Sequence, residues 1–335
     1  MGLFNFNSAA RRADKANAAL FDAIARGSLS GLGAAIAAGA TLEARNSRGQ
    51  GVVAAAVAQP ALIPRLLEAG AELEARDGSG RTALHTAAQK GAVDAIAALL
   101  KAGAAVDTAD NGAETPLLLA VYARFFEATK QLLDAGANPL RRNHYGRTAL
   151  MFAAENGAID ILVLLLAQDN PGLDARNGEN KTALALAAEN GHLDVVRLLL
   201  KAGAAVDTVD KEGQTPFSRA AYEGHTDILK ELHARGARLE SRDSDGDTPL
   251  TSAVKGEHHD TVRQLLDWGA DMTARNNDEE NAADIAGGQS NAIEDLLKEE
   301  KKRRDRAGKA AGTARTDDTP PAPVAEQPKK RNFSI

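Results

Sequence analysis

The stretch Lys181–Asp210, KTALALAAENGHLDVVRLLLKAGAAVDTVD, decides how the chain folds. Thr182 stands before an apolar run, where its hydroxyl can accept an early backbone N–H as a helix N-cap. Leu184, Ala187 and Ala188 then fall on one helical stripe. Gly191 closes this short helix, because glycine takes the left-handed conformation past a helix end without a steric penalty. A second helix carries Val195, Val196, Leu198, Leu199 and Leu200, and Gly203 ends it in the same way. The residues AAVDTVD run out as an extended loop. The second helix is apolar over more of its circumference than one hairpin partner can cover, so it needs a neighbour on each side. A segment of that kind, followed by copies of itself, marks a solenoid.

The copies keep register. Thr82, Thr115, Thr148, Thr182, Thr215 and Thr248 hold the cap position at gaps of 33, 33, 34, 33 and 33 residues. The one extra residue falls most simply at Asp169-Asn170-Pro171-Gly172. This run of turn-forming residues replaces the usual Gly-Ala closure and predicts irregular packing there. Pro116, Pro216 and Pro249 follow their threonines in the first helical turn, where a missing N–H costs nothing. Ala83, Ala149 and Ala183 stand there in the other copies. Upstream, Gly27, Gly39-Ala40 and Gly70-Ala71 punctuate two degenerate copies, the second broken near Pro60. Downstream, Asn281, Gly287-Gly288, Ile293, Leu296 and Leu297 outline a worn last copy.

The unit resembles the ankyrin repeat, with its T-P-L-H, inter-helix G-H and closing G-A elements, and the resemblance covers most of the chain. It implies an all-α fold: a solenoid of about nine stacked helix-turn-helix units with projecting β-turn tips, the first two and the last degenerate. The expected organisation is an arm and the start of a capping helix over 1–17, the repeat domain over 18–300, and a basic, proline-containing tail over 301–335. A helix is expected from Ser8 to Arg26, with Ser8 as its cap. The run Lys298–Arg306 is expected to continue the last helix as a fraying end, and residues 307–335 to be disordered, since their composition buries too little apolar surface to offset chain entropy.

Composition narrows the chemistry. The chain has no cysteine, so disulfides, thiolate metal sites and a cysteine nucleophile are excluded. Net charge is −6, but residues 301–335 carry ten Lys or Arg against four Asp or Glu, leaving −12 on the rest. An acidic body disfavours nucleic-acid binding, which depends on neutralising phosphates. No signal-peptide core or membrane-spanning run is read in the sequence, and Phe6 stands where a myristoylation motif wants Ser or Thr. A monomeric cytoplasmic protein without cofactor is expected.

No phosphate-binding loop or serine elbow is present, and no case for an active site emerges. The seven histidines lack metal-site spacing. His85, at the T-P-L-H position, is expected to bond local backbone. Asp243–Asp247, DSDGD, has carboxylates spaced as in a calcium loop, but Thr248 and Val254 stand where such a loop needs glycine and glutamate. The Phe333-Ser334-Ile335 terminus is a weak match to a peptide that adds to a sheet edge.

What the resemblance implies about function is protein binding, with the partner lying over the turn tips and first helices. Carried over by position, the partner-binding residues are Tyr122, Arg124, His144, Tyr145, Arg147, Glu155, Asn156, Lys181, Glu189 and Tyr222. Asn190 is carried over with them, and Arg81, Gln89, Lys90 and Glu114 flank the set. Tyrosine and arginine are frequent binding hot spots because they bury area and still hydrogen-bond. Arg124 replaces an inter-helix glycine and precedes Phe125 and Phe126, for which the leading expectation is packing of both in the stack and the alternative is that one is exposed as a partner anchor. The leading expectation is a non-enzymatic scaffold for an unidentified protein. The alternative is a secreted effector or inhibitor that blocks a target enzyme with the same surface.

Overall fold

A computed structural model describes residues 3–287 and 291–314. Among them are eighteen α-helices and no named strand. The helices form nine consecutive pairs: α1 (Leu3–Ala25) with α2 (Leu29–Ala37), α3 (Val52–Ala55) with α4 (Ile63–Glu68), α5 (Ala83–Gln89) with α6 (Val93–Lys101), α7 (Pro116–Tyr122) with α8 (Phe126–Asp134), α9 (Ala149–Glu155) with α10 (Ile159–Leu166), α11 (Ala183–Glu189) with α12 (Leu193–Lys201), α13 (Pro216–Tyr222) with α14 (Thr226–Ala234), α15 (Pro249–Lys255) with α16 (His259–Asp267), and α17 (Ala282–Ala286) with α18 (Asn291–Ala314). From α5 to α17 the first helix of each pair packs on the first helix of the next, and from α4 to α18 second helix packs on second. The stack therefore has two layers, with the core between them.

Local chemistry explains the starts of the first helices and the glycine stops. The threonine hydroxyls of Thr115, Thr148, Thr182, Thr215 and Thr248 accept from the third backbone N–H of their helices. Gly191 and Gly203 have φ of 76° and 96°. Proline near position 60 does break the second copy: two 3-10 turns, Ala56–Ala58 and Pro60–Leu62, separate α3 from α4. The core is built from small and branched side chains. Leu184, Ala187 and Ala188 of α11 are buried against Val195, Val196 and Leu199 of α12, while Leu198 is half-buried.

The turn tips are held by one recurring device. Asp77, Asp110, Asn143, Asn177, Asp210, Asp243 and Asn276 each accept, through one side-chain oxygen, the backbone N–H groups two and four residues on. This is the Asx-turn geometry that makes Asp and Asn turn formers. Successive tips are joined by single backbone bonds: Asn111 N to Ser79 O (2.9 Å), His144 N to Gly112 O (3.0 Å), Gly178 N to Tyr145 O (2.8 Å), Lys211 N to Glu179 O (3.0 Å), Ser244 N to Glu212 O (2.8 Å) and Asn277 N to Asp245 O (2.8 Å).

A further clip fastens most joints. Glu74, Asp107, Asp174, Asp207 and Glu240 each accept a backbone N–H 31 residues later. Leu140 occupies the corresponding place at the joint with the extra residue. There Gly172 N donates instead to Asn170 Oδ1 at 3.2 Å. A Cβ on Gly172 would stand 2.6 Å from Leu140 Cδ2, so glycine lets the leucine close over the joint. The irregularity expected at 169–172 is thus an exchange of a polar clip for an apolar contact.

The ends differ from expectation. Helix α1 begins at Leu3, so Ser8 lies inside it rather than capping it. No proline or glycine between Leu3 and Ser8 interrupts the helix. At the other end α18 includes the helical continuation expected over 298–306 and runs on through Ala314, past the start of disorder expected at 307. Glu300 is buried and binds Arg303 Nε (2.6 Å) and Arg304 Nε (2.7 Å). Arg304 also donates to Ala270 O (3.0 Å) and Leu266 O (3.1 Å), satisfying carbonyls at the end of α16. Arg304, beyond 300, is therefore tied to the folded stack. The expectations for Gly288 and for 315–335 lie outside the described residues.

His85 supplies a titratable contact inside the stack. Its Nδ1 accepts from Thr82 N (3.2 Å), so its Nε2 is the donor to Glu114 O (3.1 Å) in the next repeat. Burial lowers its pKa from the ordinary 6.5, and the Glu114 bond opposes this only in part. Below pH 6.5 the unfolded chain binds a proton that the folded chain resists, so stability falls as pH drops. Unfolding free energy measured between about pH 7.5 and 5 is expected to decline more steeply in the natural protein than in His85→Gln. Parallel profiles would show that the imidazole contributes nothing to the acid sensitivity.

Candidate protein-binding surface

The first helices and the tips form one continuous face, and it is irregular at repeats four and five. Tyr122, the last residue of α7, and Tyr145, at the fifth tip, are 62% and 75% exposed. They border a cleft of about 310 Å³ that is also lined by Arg81, Glu114, Arg147 and Phe152. Phe152 is buried in α9, and Tyr122 meets it edge to face, with centroids 5.5 Å apart and planes at 76°. The guanidinium carbon of Arg147 lies 5.6 Å from the Phe152 ring centre, within cation–π range. A second cleft of about 490 Å³ opens on the other side of Tyr145, lined by His144, Arg147, Asn177, Gly178 and Glu179. Tyr145 and Arg147 are thus walls common to both.

Most charge on this face is paired within the protein. Arg147 Nη1 bonds Glu155 Oε2 at 2.7 Å and Lys181 Nζ bonds Glu189 Oε1 at 3.0 Å. Arg219 reaches Glu189 (3.2 Å), Asp210 (2.6 Å) and Glu212 (2.9 Å). Burial alone would lower the Arg219 pKa, but these carboxylates, Asp210 first, raise it. The DSDGD carboxylates also serve the fold: Asp243 holds its turn, and Asp247 binds Lys255 and Asn276. Among the described residues no group of three or more His, Asp or Glu is placed to hold a metal ion.

Of the ten residues expected to bind a partner, Tyr122, His144, Tyr145 and Arg147 line these two clefts. Glu155, Lys181 and Glu189 lie in the neighbouring ion pairs. Asn156 is half-buried and lines neither cleft. Tyr222 is 47% exposed but lies three repeats from Tyr122, roughly 30 Å at the usual spacing of packed helices. The three tyrosines thus share a face but not a pocket. Arg124 is exposed in the inter-helix turn with φ of 61°, outside the cleft. The packing expected for Phe125 and Phe126 holds for one: Phe126 packs against the core, whereas Phe125 is 37% exposed. Phe125 instead covers the preceding repeat's glycine, since a Cβ on Gly91 would stand 2.6 Å from its ring. His192 and His225 cover Gly157 and Gly191 in the same way, and each imidazole Nε2 bonds a carbonyl there. Phe152 and Leu119 were not expected in the site. Their signal is large apolar residues on the first helix, four positions after the cap threonine, a place that Leu186 shares and where Thr86, Arg219 and Ser252 stand in other copies.

The periodic caps, turn tips and two-layer packing are those of a helical repeat protein. The ankyrin repeats family model matches residues 52–143, 127–210, 202–276 and 218–306, and the chain belongs to that family. It is similar in structure to the human ASB11 ankyrin repeat domain, with a TM-score of 0.59 and 26% identity over 66% of this chain and 98% of that one. It is also similar to the ankyrin repeat domain of Bcl-3, a member of the IkappaB protein family, with a TM-score of 0.57 and 31% identity over 66% of this chain and 99% of that one. A comparison with curated proteins returns no match. Ankyrin repeats are in general protein-interaction modules. Among the described residues no helix is long and apolar enough to cross a membrane.

Proposed function

We propose that the chain is a non-enzymatic scaffold that binds a protein partner across the tips and first helices of repeats four to seven. The observation that carries this reading is the pair of exposed tyrosines, Tyr122 and Tyr145, set around a cleft on a face where most of the neighbouring charge is already paired. Large aromatic side chains left open beside a buried aromatic floor are the kind of anchor that dominates protein interfaces. A partner desolvating this face would break few ion pairs, because the pairs are internal and can stay in place.

Changing Tyr122, Tyr145 and Tyr222 together to alanine is expected to remove most of the proteins that the natural chain captures from its own cell lysate. Lys130→Ala with Lys230→Ala, two exposed positions on second helices, serves as the control and is expected to leave capture intact. Equal capture by the tyrosine variant, with its helical content preserved, would place binding on another face.

A further inference from the structure

The residue before each cap threonine and the last residue of the same first helix lie eight positions apart and meet on the binding face. Arg81 bonds Gln89, Arg147 pairs with Glu155, Lys181 with Glu189, and Lys255 with Asp247. Repeats four and seven break this rule, and only in repeat four is the first of the two residues charged. The two positions of repeat four hold Glu114 and Tyr122, which cannot form an ion pair. Glu114 keeps one side-chain hydrogen bond, from Asn143 Nδ2 at 2.8 Å, and pairs with no cation among the described residues. The two nearby arginines are committed elsewhere: Arg81 Nε to Asp110 at 2.9 Å, and Arg147 Nη1 to Glu155 at 2.7 Å. Burial raises the Glu114 pKa and the Asp110 charge adds to this, while the Asn143 bond and the charges of Arg81 and Arg147 oppose it only in part.

We propose that the cleft beside Glu114 takes one lysine or arginine side chain from the protein partner, its charge meeting the Glu114 carboxylate and its stem lying between Tyr122 and Tyr145. This rests on the binding face proposed above and names the chemistry read there. The cleft, about 310 Å³, is at the small end of ligand pockets and suits a single long side chain. Its rings favour a cation over an anion, and the contact of Arg147 with Phe152 is a guanidinium already held in this way in the same cleft. The charge of −12 outside residues 301–335 attracts a basic partner at long range. Repeat seven supplies an internal comparison: Gln214 and Tyr222 occupy the same two positions, and the neutral glutamine there calls for no cation.

The test is a titration of the full chain, with its tyrosine and phenylalanine rings isotopically labelled for NMR, with Nα-acetyl-lysine methylamide and Nα-acetyl-arginine methylamide. Nα-acetyl-norleucine methylamide is the uncharged control. The two cations are expected to shift the Tyr122, Tyr145 and Phe152 signals saturably, about tenfold more tightly than norleucine, as a ring contact plus an ion pair would give. Glu114→Gln is expected to cut that preference to about threefold, the share that the rings alone supply, while remaining folded, since glutamine is accommodated at the same place in repeat seven. A norleucine response equal to that of the cations, or a cation preference undiminished by Glu114→Gln, would overturn the proposal. The loss of partner capture in the tyrosine variant would still stand, so the two readings fail separately. The competing occupants are Lys329, Lys330 and Arg331 of this chain and a second copy. Signals of Tyr122 and Tyr145 that move when residues 315–335 are removed, or on dilution, would assign the cleft to the chain itself and overturn the partner's role.

Discussion

Replacing Phe217 with alanine is expected to destabilise the C-terminal repeats by about 4 kcal/mol, the range for deleting a fully buried aromatic ring. Phe217 is the largest of the fully buried side chains, and its ring lies 6.4 Å from His233 and 6.3 Å from Trp268. Those two stack on each other at 4.2 Å, so the missing ring would leave a cavity walled by rigid planes that cannot collapse into it. In a solenoid the stability is close to a sum of repeats and nearest-neighbour contacts. The loss is therefore local, and repeats seven to nine are expected to melt ahead of the rest. Trp268 is the one tryptophan in the chain and reports on that end. In a denaturant titration of Phe217→Ala its fluorescence should change at lower concentration than the far-ultraviolet circular dichroism of the whole array. Coincident transitions would mean that the array unfolds as one unit and that the damage is shared.

The second large effect is expected at Arg219. Asp210 is buried with its carboxylate against this guanidinium, at 2.6 Å. Arg219→Leu removes the counter-charge and leaves a buried anion, which costs about 3 kcal/mol. The penalty belongs to the stranded charge rather than to the lost contact. Asn143, Asn177 and Asn276 fill the same turn position in other repeats and accept the same two N–H groups without carrying charge. The double variant Asp210→Asn with Arg219→Leu is therefore expected to recover most of the loss. Chemical denaturation of the natural chain, both single variants and the double variant gives the coupling directly. If the double variant were as unstable as Arg219→Leu alone, packing of the arginine stem would be the cause, and the account based on charge would fail.

The repeats were legible because their punctuation depends on single residues. A cap needs a hydroxyl such as that of Thr182, and a left-handed turn favours glycine, as at Gly191, so a period of 33 shows directly in the letters. The ends were misplaced because that punctuation is missing there. Nothing in the composition around Lys301–Arg306 shows that Arg304 would reach back to Leu266 and Ala270. The cleft was half legible. Tyr122 and Tyr145 occupy positions that face outward in any copy, but their floor, Phe152, comes from the first helix of the fifth repeat and meets Tyr122 only across the joint. The pairing of Arg219 with Glu189 crosses a joint too. Contacts between repeats depend on which copy stands next to which, and a pattern read one copy at a time does not contain them.

The Asx root of each tip separates two duties that most loops must share. A single oxygen, such as that of Asn143, fixes the bend, and the apex residues His144 and Tyr145 give the frame little beyond their backbone groups. The apex side chains can therefore drift in evolution at little cost to folding, one rung at a time. The array works as a ruler with graduations of roughly 10 Å, on which the mark at each graduation can be rewritten without disturbing its neighbours.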